Sequence, residues 1–236
     1  MSKHTDFIRS PITDVLKDVV AANAAIGNGI ETYPLTEYIM QSVFLKMTGF
    51  QEQKMKCISW ELATNDYEHR YNRYTKKPLG ECSTYDEKKI VYKDLIGLLK
   101  KNNPDFNLNT AINRVEIRRN TFTAIRELFL NSNLSSWAES SFLELSSGVL
   151  FTHEQFATEN DLLVNILQDK YSLLYDHRNR CAHNTQSYQE NLPTLATILS
   201  KNYKDDNYFV RFTLLILIDN IFRALYDKYL AIMEEG

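Results

Sequence analysis

Residues Asp161 to Asn184 read DLLVNILQDKYSLLYDHRNRCAHN, a periodic stretch that closes on a polar cluster. Leu163, Ile166, Leu167, Leu174 and Cys181 recur at three- and four-residue intervals, which places them on one face of a helix. That face is expected to be core. Asn165, Ser172, Asp176, Asn179 and His183 gather on the opposite side, with Arg178 on the border between the two. His177 and Cys181 lean toward the apolar face and read as packing residues. The chemistry of this helix is therefore expected at its C-terminal end.

The same periodicity extends in both directions. Ser10-Pro11 reads as the start of a first helix ending at Gly27 and Gly29, and Pro34 to Thr48 as a second, with Gly49 as its stop. Gln51 to Tyr74 follows as a third, then a loop from Lys76 to Ser83 containing Pro78 and Gly80. Thr84 and Glu87 have the spacing of a capping box for a helix to Lys101, and Asn102-Asn103-Pro104 stops it. Further helices are expected from Asn109 to Leu130, from the Ser135-Ser136 cap to Leu145 and from Pro193. Thr158 or Asn160 is the expected cap of the 161–184 helix. The last helix, Asp206 to Met233, is apolar enough to form a spine, and Asp219 and Arg223 interrupt it as in a buried core helix rather than a membrane span. The expected fold is all-α, with an N-terminal helical extension over 1–104 and a helical bundle over 105–236.

Composition narrows the chemistry. The chain has 236 residues, 44% of them hydrophobic and 24% charged, enough to bury a sizeable core. Seven glycines disfavour a Gly-rich phosphate loop or a turn-rich β-sandwich. Cys57, Cys82 and Cys181 are widely spaced without a CxxC pair, which suggests a reducing compartment and no structural zinc. The five histidines form no metal-ligand spacing, and HExxH, GxxxxGK[ST] and GxSxG are absent. MSKHTDFIRS lacks an apolar signal core, so a cytoplasmic location and no membrane partner are expected. A net charge of −3 means that any nucleic-acid contact must come from a local patch.

The order Arg178-Asn179-Arg180-Cys181-Ala182-His183 resembles the RNxxxH form of the R-x(4–6)-H motif of HEPN domains. These are small helical bundles, many of them metal-independent ribonucleases. The resemblance covers the motif, the apolar helix leading into it and the helical surroundings, but not residues 1–100. It implies a HEPN-like bundle and an endoribonuclease of the kind used in toxin–antitoxin, abortive-infection and other phage-defence systems. The implied reaction is 2′-hydroxyl attack on the adjacent phosphate, giving a 2′,3′-cyclic phosphate, with neither metal nor cofactor. His183 would be the general acid/base, Arg178 the phosphate and transition-state stabiliser, and Asn179 an orienting group. An antitoxin or regulatory protein partner is a further implication. One toxin subgroup continues the motif as HxY, with its tyrosine modified by a partner; here Asn184-Thr185 follows His183, and that regulation is not expected.

Cleaving RNA without a metal requires proton transfer at two oxygens and positive charge near the phosphate, which histidine and arginine supply. Arg178 and His183, five residues apart, point about 140° apart around a helix, so the shared cleft of a homodimer is the expected composite active site. Asn179 and His183, four apart, share a face. Asp176 and Arg180 read as an i,i+4 ion pair. Arg119 and Arg126 lie seven apart in the densest positive cluster, near Arg114 and Arg118, and form the expected RNA-binding patch. Tyr67, Tyr71 and Tyr74, beside Arg70 and Arg73, make a stripe suited either to base stacking or to helix packing. The alternative function is a non-catalytic helical RNA-binding or protein-interaction module that retains the motif for dimer packing.

Overall fold

A computed structural model describes residues 3–23, 33–129, 150–183 and 207–235. Among them the fold is all-α. The helices are α1 (Lys3–Arg9), α2 (Thr13–Asn23), α3 (Tyr33–Asn65), α4 (Tyr67–Tyr71), α5 (Tyr85–Asn102), α6 (Leu108–Ala111), α7 (Arg114–Phe129), α8 (Ile166–His183) and α9 (Tyr208–Glu235). A π-helical turn, Asn72–Lys76, follows α4. The expected helices at 135–145 and after Pro193, the Gly27/Gly29 stop and the segment after His183 lie outside the described residues.

Helix α9 is the spine. Every residue from Phe209 to Asp219 is buried, the polar Arg211, Thr213 and Asp219 among them, so this stretch of the helix is surrounded on all sides. It packs on α1, α3, α5, α7 and α8. Each Leu or Phe so enclosed contributes roughly 1.5–3 kcal/mol of transfer free energy. One hydrophobic core runs from Ile8 to Tyr229, and α5 and α7, on either side of the turn at Pro104, both pack on α9.

A charge pair buried in that core is tightly organised. Lys54 Nζ lies 2.6 Å from Asp219 Oδ1, and the Ile12 amide donates to Asp219 Oδ2 at 3.0 Å. Lys54 also donates to the Ser10 carbonyl. Burial pushes the lysine pKa down and the aspartate pKa up, each opposed by the partner's charge. The pair pins the α1–α2 turn to the spine.

Several boundaries differ from the sequence reading. Ser10 donates to the Phe7 carbonyl and so terminates α1, a helix not expected, instead of capping α2. Helix α3 continues through Gly49 and joins the expected second and third helices. A glycine inside a helix costs only about 1 kcal/mol, which the flanking burial of Phe44, Met47, Met55 and Ile58 outweighs. Asp66 breaks the chain instead, its side chain accepting from the His69 amide as the cap of α4. The Thr84–Glu87 capping box is present in both halves.

Candidate active site

Two tyrosines of α5 fix the segment before α8, and a third, within α8, ties that helix to the loop before α5. Tyr85 donates to the Leu163 carbonyl at 2.6 Å, Tyr92 to the Thr158 carbonyl at 2.7 Å, and Tyr171 to the Ser83 carbonyl at 3.0 Å. Leu163 sits in an isolated bridge with Phe156, and Asn165 adopts a left-handed φ of 49°, a conformation asparagine tolerates. Helix α8 therefore starts at Ile166 rather than 161. Thr158 accepts from the Asp161 amide within the loop and caps no helix. Within α8, Leu167 and Leu174 face the core as expected, joined by Lys170 and Tyr171.

Arg178 turns toward α3. Its Nη2 lies 3.3 Å from Glu52 Oε1, and its Nη1 donates to Asn179 Oδ1 at 3.2 Å. The side chains of Arg178 and Glu52 are only 25% and 13% exposed. The guanidinium is thus held by a carboxylate from another helix, with part of its surface still open. Asn179, expected to orient His183, has its amide oxygen on Arg178. His183 is the last residue of α8, about 7.5 Å further along the axis than Arg178, and its side chain lies outside the described residues. Asp176 and Arg180 are both exposed and form no ion pair among the described residues.

Behind Arg178 sits a second cation. Lys88 is fully enclosed, donates to the Cys82 carbonyl and lies 5.7 Å from the centroid of the Tyr171 ring. Burial pushes its pKa down to about 8, with Glu52 the strongest opposing influence. Glu52 is thus a shared counter-charge for Arg178 and Lys88. A cavity of about 10 Å³, the size of one water-sized sphere, is lined by Gln51, Glu52, Lys88, Tyr171 and Arg178. Gln51 Oε1 is buried there without a hydrogen-bond partner among the described residues. Cys82 adopts φ 61°, left-handed backbone that a non-glycine residue holds only at a cost, so the carbonyl serving Lys88 is held in place by the surrounding packing.

His177 is a packing residue, as its register suggests. Its Nε2 is 3.2 Å from the Tyr208 hydroxyl and 3.4 Å from Cys181 Sγ, and its ring meets Phe44. Tyr208 donates its own proton to Glu37, so the consistent tautomer of His177 carries hydrogen on Nε2. Burial holds the imidazole pKa down to about 3. His177 stays neutral and engaged in packing.

The arginine cluster on α7 separates into two kinds. Arg118 donates to the Phe151 carbonyl at 2.7 Å and stacks over Phe122, and Arg114 donates to Asn109. These two hold structure. Arg119 and Arg126 are exposed, and among the described residues Arg119 has only a loose 3.7 Å contact with Glu116. Tyr67, Tyr71 and Tyr74 are exposed rather than packed, and Tyr74 meets Trp60 edge to face.

Comparison of the chain with protein-family models, curated proteins and solved structures finds no match. No helix among the described residues is long and apolar enough to cross a membrane.

Glu52 and Lys88 were not among the residues singled out from sequence. Lys88 carried a signal: it occupies an apolar register between Tyr85 and Tyr92, where a lysine must be buried or paired. Glu52 carried none, because its role depends on how α3 meets α8.

Proposed function

We propose that the chain is a metal-independent endoribonuclease of the HEPN type, working in the cytoplasm within a toxin or phage-defence system. The observation that carries the reading is the Glu52–Arg178–Asn179 arrangement at the end of α8. A guanidinium fixed by a carboxylate on a neighbouring helix and hydrogen-bonded to the adjacent amide is a preorganised phosphate ligand, already oriented before substrate arrives. His183, one and a half turns on, takes the proton of the 2′-hydroxyl and delivers one to the leaving 5′-oxygen. Atoms balance without a co-reactant: the 2′-oxygen bonds to phosphorus as the P–O5′ bond breaks, giving a 2′,3′-cyclic phosphate and a 5′-hydroxyl. Asn179 positions Arg178. Arg119 and Arg126 hold the RNA backbone elsewhere on the surface.

Because positions 178 and 183 lie about 140° apart around a helix, the proposed catalyst is a homodimer in which each cleft takes Arg178 from one protomer and His183 from the other. An antitoxin or other regulatory protein would restrain it by covering that cleft. Mixing two dead variants tests the arrangement. Arg178→Ala and His183→Ala homodimers should each be inactive, whereas their subunit-exchanged mixture should regain about a quarter of wild-type activity, since half of the dimers carry one intact cleft. Failure of the mixture to regain activity, with exchange verified, would refute the shared cleft. The second reading, a non-catalytic RNA-binding or protein-interaction module, draws on the enclosure of Arg178 by Glu52. It requires wild-type protein to leave RNA intact.

A further inference from the structure

A second concavity opens further along α3. It has a volume of about 410 Å³, within the range of sites that hold a small organic molecule. Trp60 and Tyr74 stand at its mouth with ring centroids 5.9 Å apart and planes at 90°, and are 53% and 47% exposed. Lys56, Ser59, Arg73 and Leu79 are among the other residues that line it. The π-helical turn Asn72–Lys76, which carries Arg73 and Tyr74 into the wall, is a rare backbone form that recurs at functional sites. Gly80 closes the loop side, where any Cβ would collide with the Glu87 carboxylate of the α5 capping box.

Three details select the ligand chemistry. The half-exposed indole and phenol offer flat apolar surface of the kind on which planar rings stack. Ser59 is 3% exposed, and its hydroxyl has no hydrogen-bond partner among the described residues, an arrangement that costs free energy unless something entering the cleft meets it. The cations differ in availability. Arg73 is committed to Asp94 by two hydrogen bonds of 2.5 and 2.6 Å. Among the described residues Lys56 is paired with Glu81 alone, whose side chain is 80% exposed, and an ion pair of that exposure contributes little, so an incoming anion displaces Glu81 readily.

We propose that this cleft binds a nucleotide, with the base against Trp60 and Tyr74, an edge of the base on the Ser59 hydroxyl, and the phosphate on Lys56. The nucleotide is either free or one unit of a single-stranded RNA. The proposal does not rest on ribonuclease activity, since binding is read without cleavage.

Full-chain protein is titrated with AMP, GMP, CMP and UMP, with the matching nucleosides, with inorganic phosphate, and with a cleavage-resistant 2′-O-methylated tetranucleotide. Heat and tryptophan fluorescence are followed. At least one nucleotide should saturate the protein and bind more tightly than its nucleoside, and Lys56→Gln should abolish that difference. Trp60→Ala should weaken binding about tenfold or more, the scale for losing one base-stacking aromatic. Ser59→Ala gives a separate readout: it should raise the melting temperature of the ligand-free protein, by removing an unpaired buried hydroxyl, while weakening the nucleotide. Competition by the tetranucleotide assigns the cleft to an RNA strand, and binding of mononucleotides alone assigns it to a free ligand; both support the site. No saturable binding at millimolar nucleotide, or an affinity that Trp60→Ala leaves unchanged, would overturn it.

Discussion

Replacing Glu52 with glutamine keeps its shape and removes the charge shared by Arg178 and Lys88. The two side chains of the Glu52–Arg178 pair are 13% and 25% exposed at 3.3 Å, between the fully buried and the surface case. Losing one partner of a buried pair costs about 3–5 kcal/mol, and losing an exposed one costs less than about 1 kcal/mol. An intermediate value of roughly 2 kcal/mol follows, with a share arising from Lys88, which is enclosed and keeps its proton at neutral pH partly because of Glu52. Urea unfolding at pH 7 should register this as a midpoint lower by about 0.7 M, for a slope near 3 kcal/mol per molar. Two double-mutant cycles, with Arg178→Met and with Lys88→Met, should each give a coupling of about 0.5–1.5 kcal/mol, because one carboxylate serves both cations. A Glu52→Gln variant as stable as the parent, or coupled to Arg178 alone, would refute the shared counter-charge.

Two further outcomes are expected. Lys88 is protonated in folded and unfolded chains alike below about pH 8; between 8 and its ordinary 10.5 only the unfolded chain binds the proton, so raising pH favours the folded state. Chemical denaturation should show about 1.5 kcal/mol of added stability from pH 8 to 9.5 in the parent, and Lys88→Met should lack that gain. Reversing the charge of both Arg119 and Arg126 should weaken RNA binding and reduce the slope of log affinity against log salt by about 1–2, which a filter-binding salt series measures.

The all-α character was legible because long stretches keep a 3.6-residue period: the α9 spine, the Thr84–Glu87 box of α5 and the Leu167–Leu174 face of α8 all fall where the pattern puts them. Boundaries set by tertiary contacts were not. Gly49 reads as a stop, yet core residues on both sides carry α3 through it, and the apolar Leu163 belongs to a bridge with Phe156 rather than to the motif helix. At the site, the inward lean of His177 and the border position of Arg178 follow from angle alone. What Arg178 meets does not, because Glu52 is 126 residues away in sequence and only the packing of α3 against α8 brings it there. The exposure of Tyr67, Tyr71 and Tyr74 was equally undetermined, since a tyrosine stripe at helical spacing serves a packed face or an open one.

Incubation of purified full-chain protein with total RNA in excess EDTA tests the central claim most directly, with products examined at their 3′ ends and the His183→Ala variant run alongside. The account predicts cleavage to 2′,3′-cyclic phosphate ends, and a loss on the order of 10² to 10⁴ in rate for His183→Ala at an unchanged melting temperature. Intact RNA with the parent protein, or a folded His183→Ala variant that cleaves at the parent rate, would contradict it.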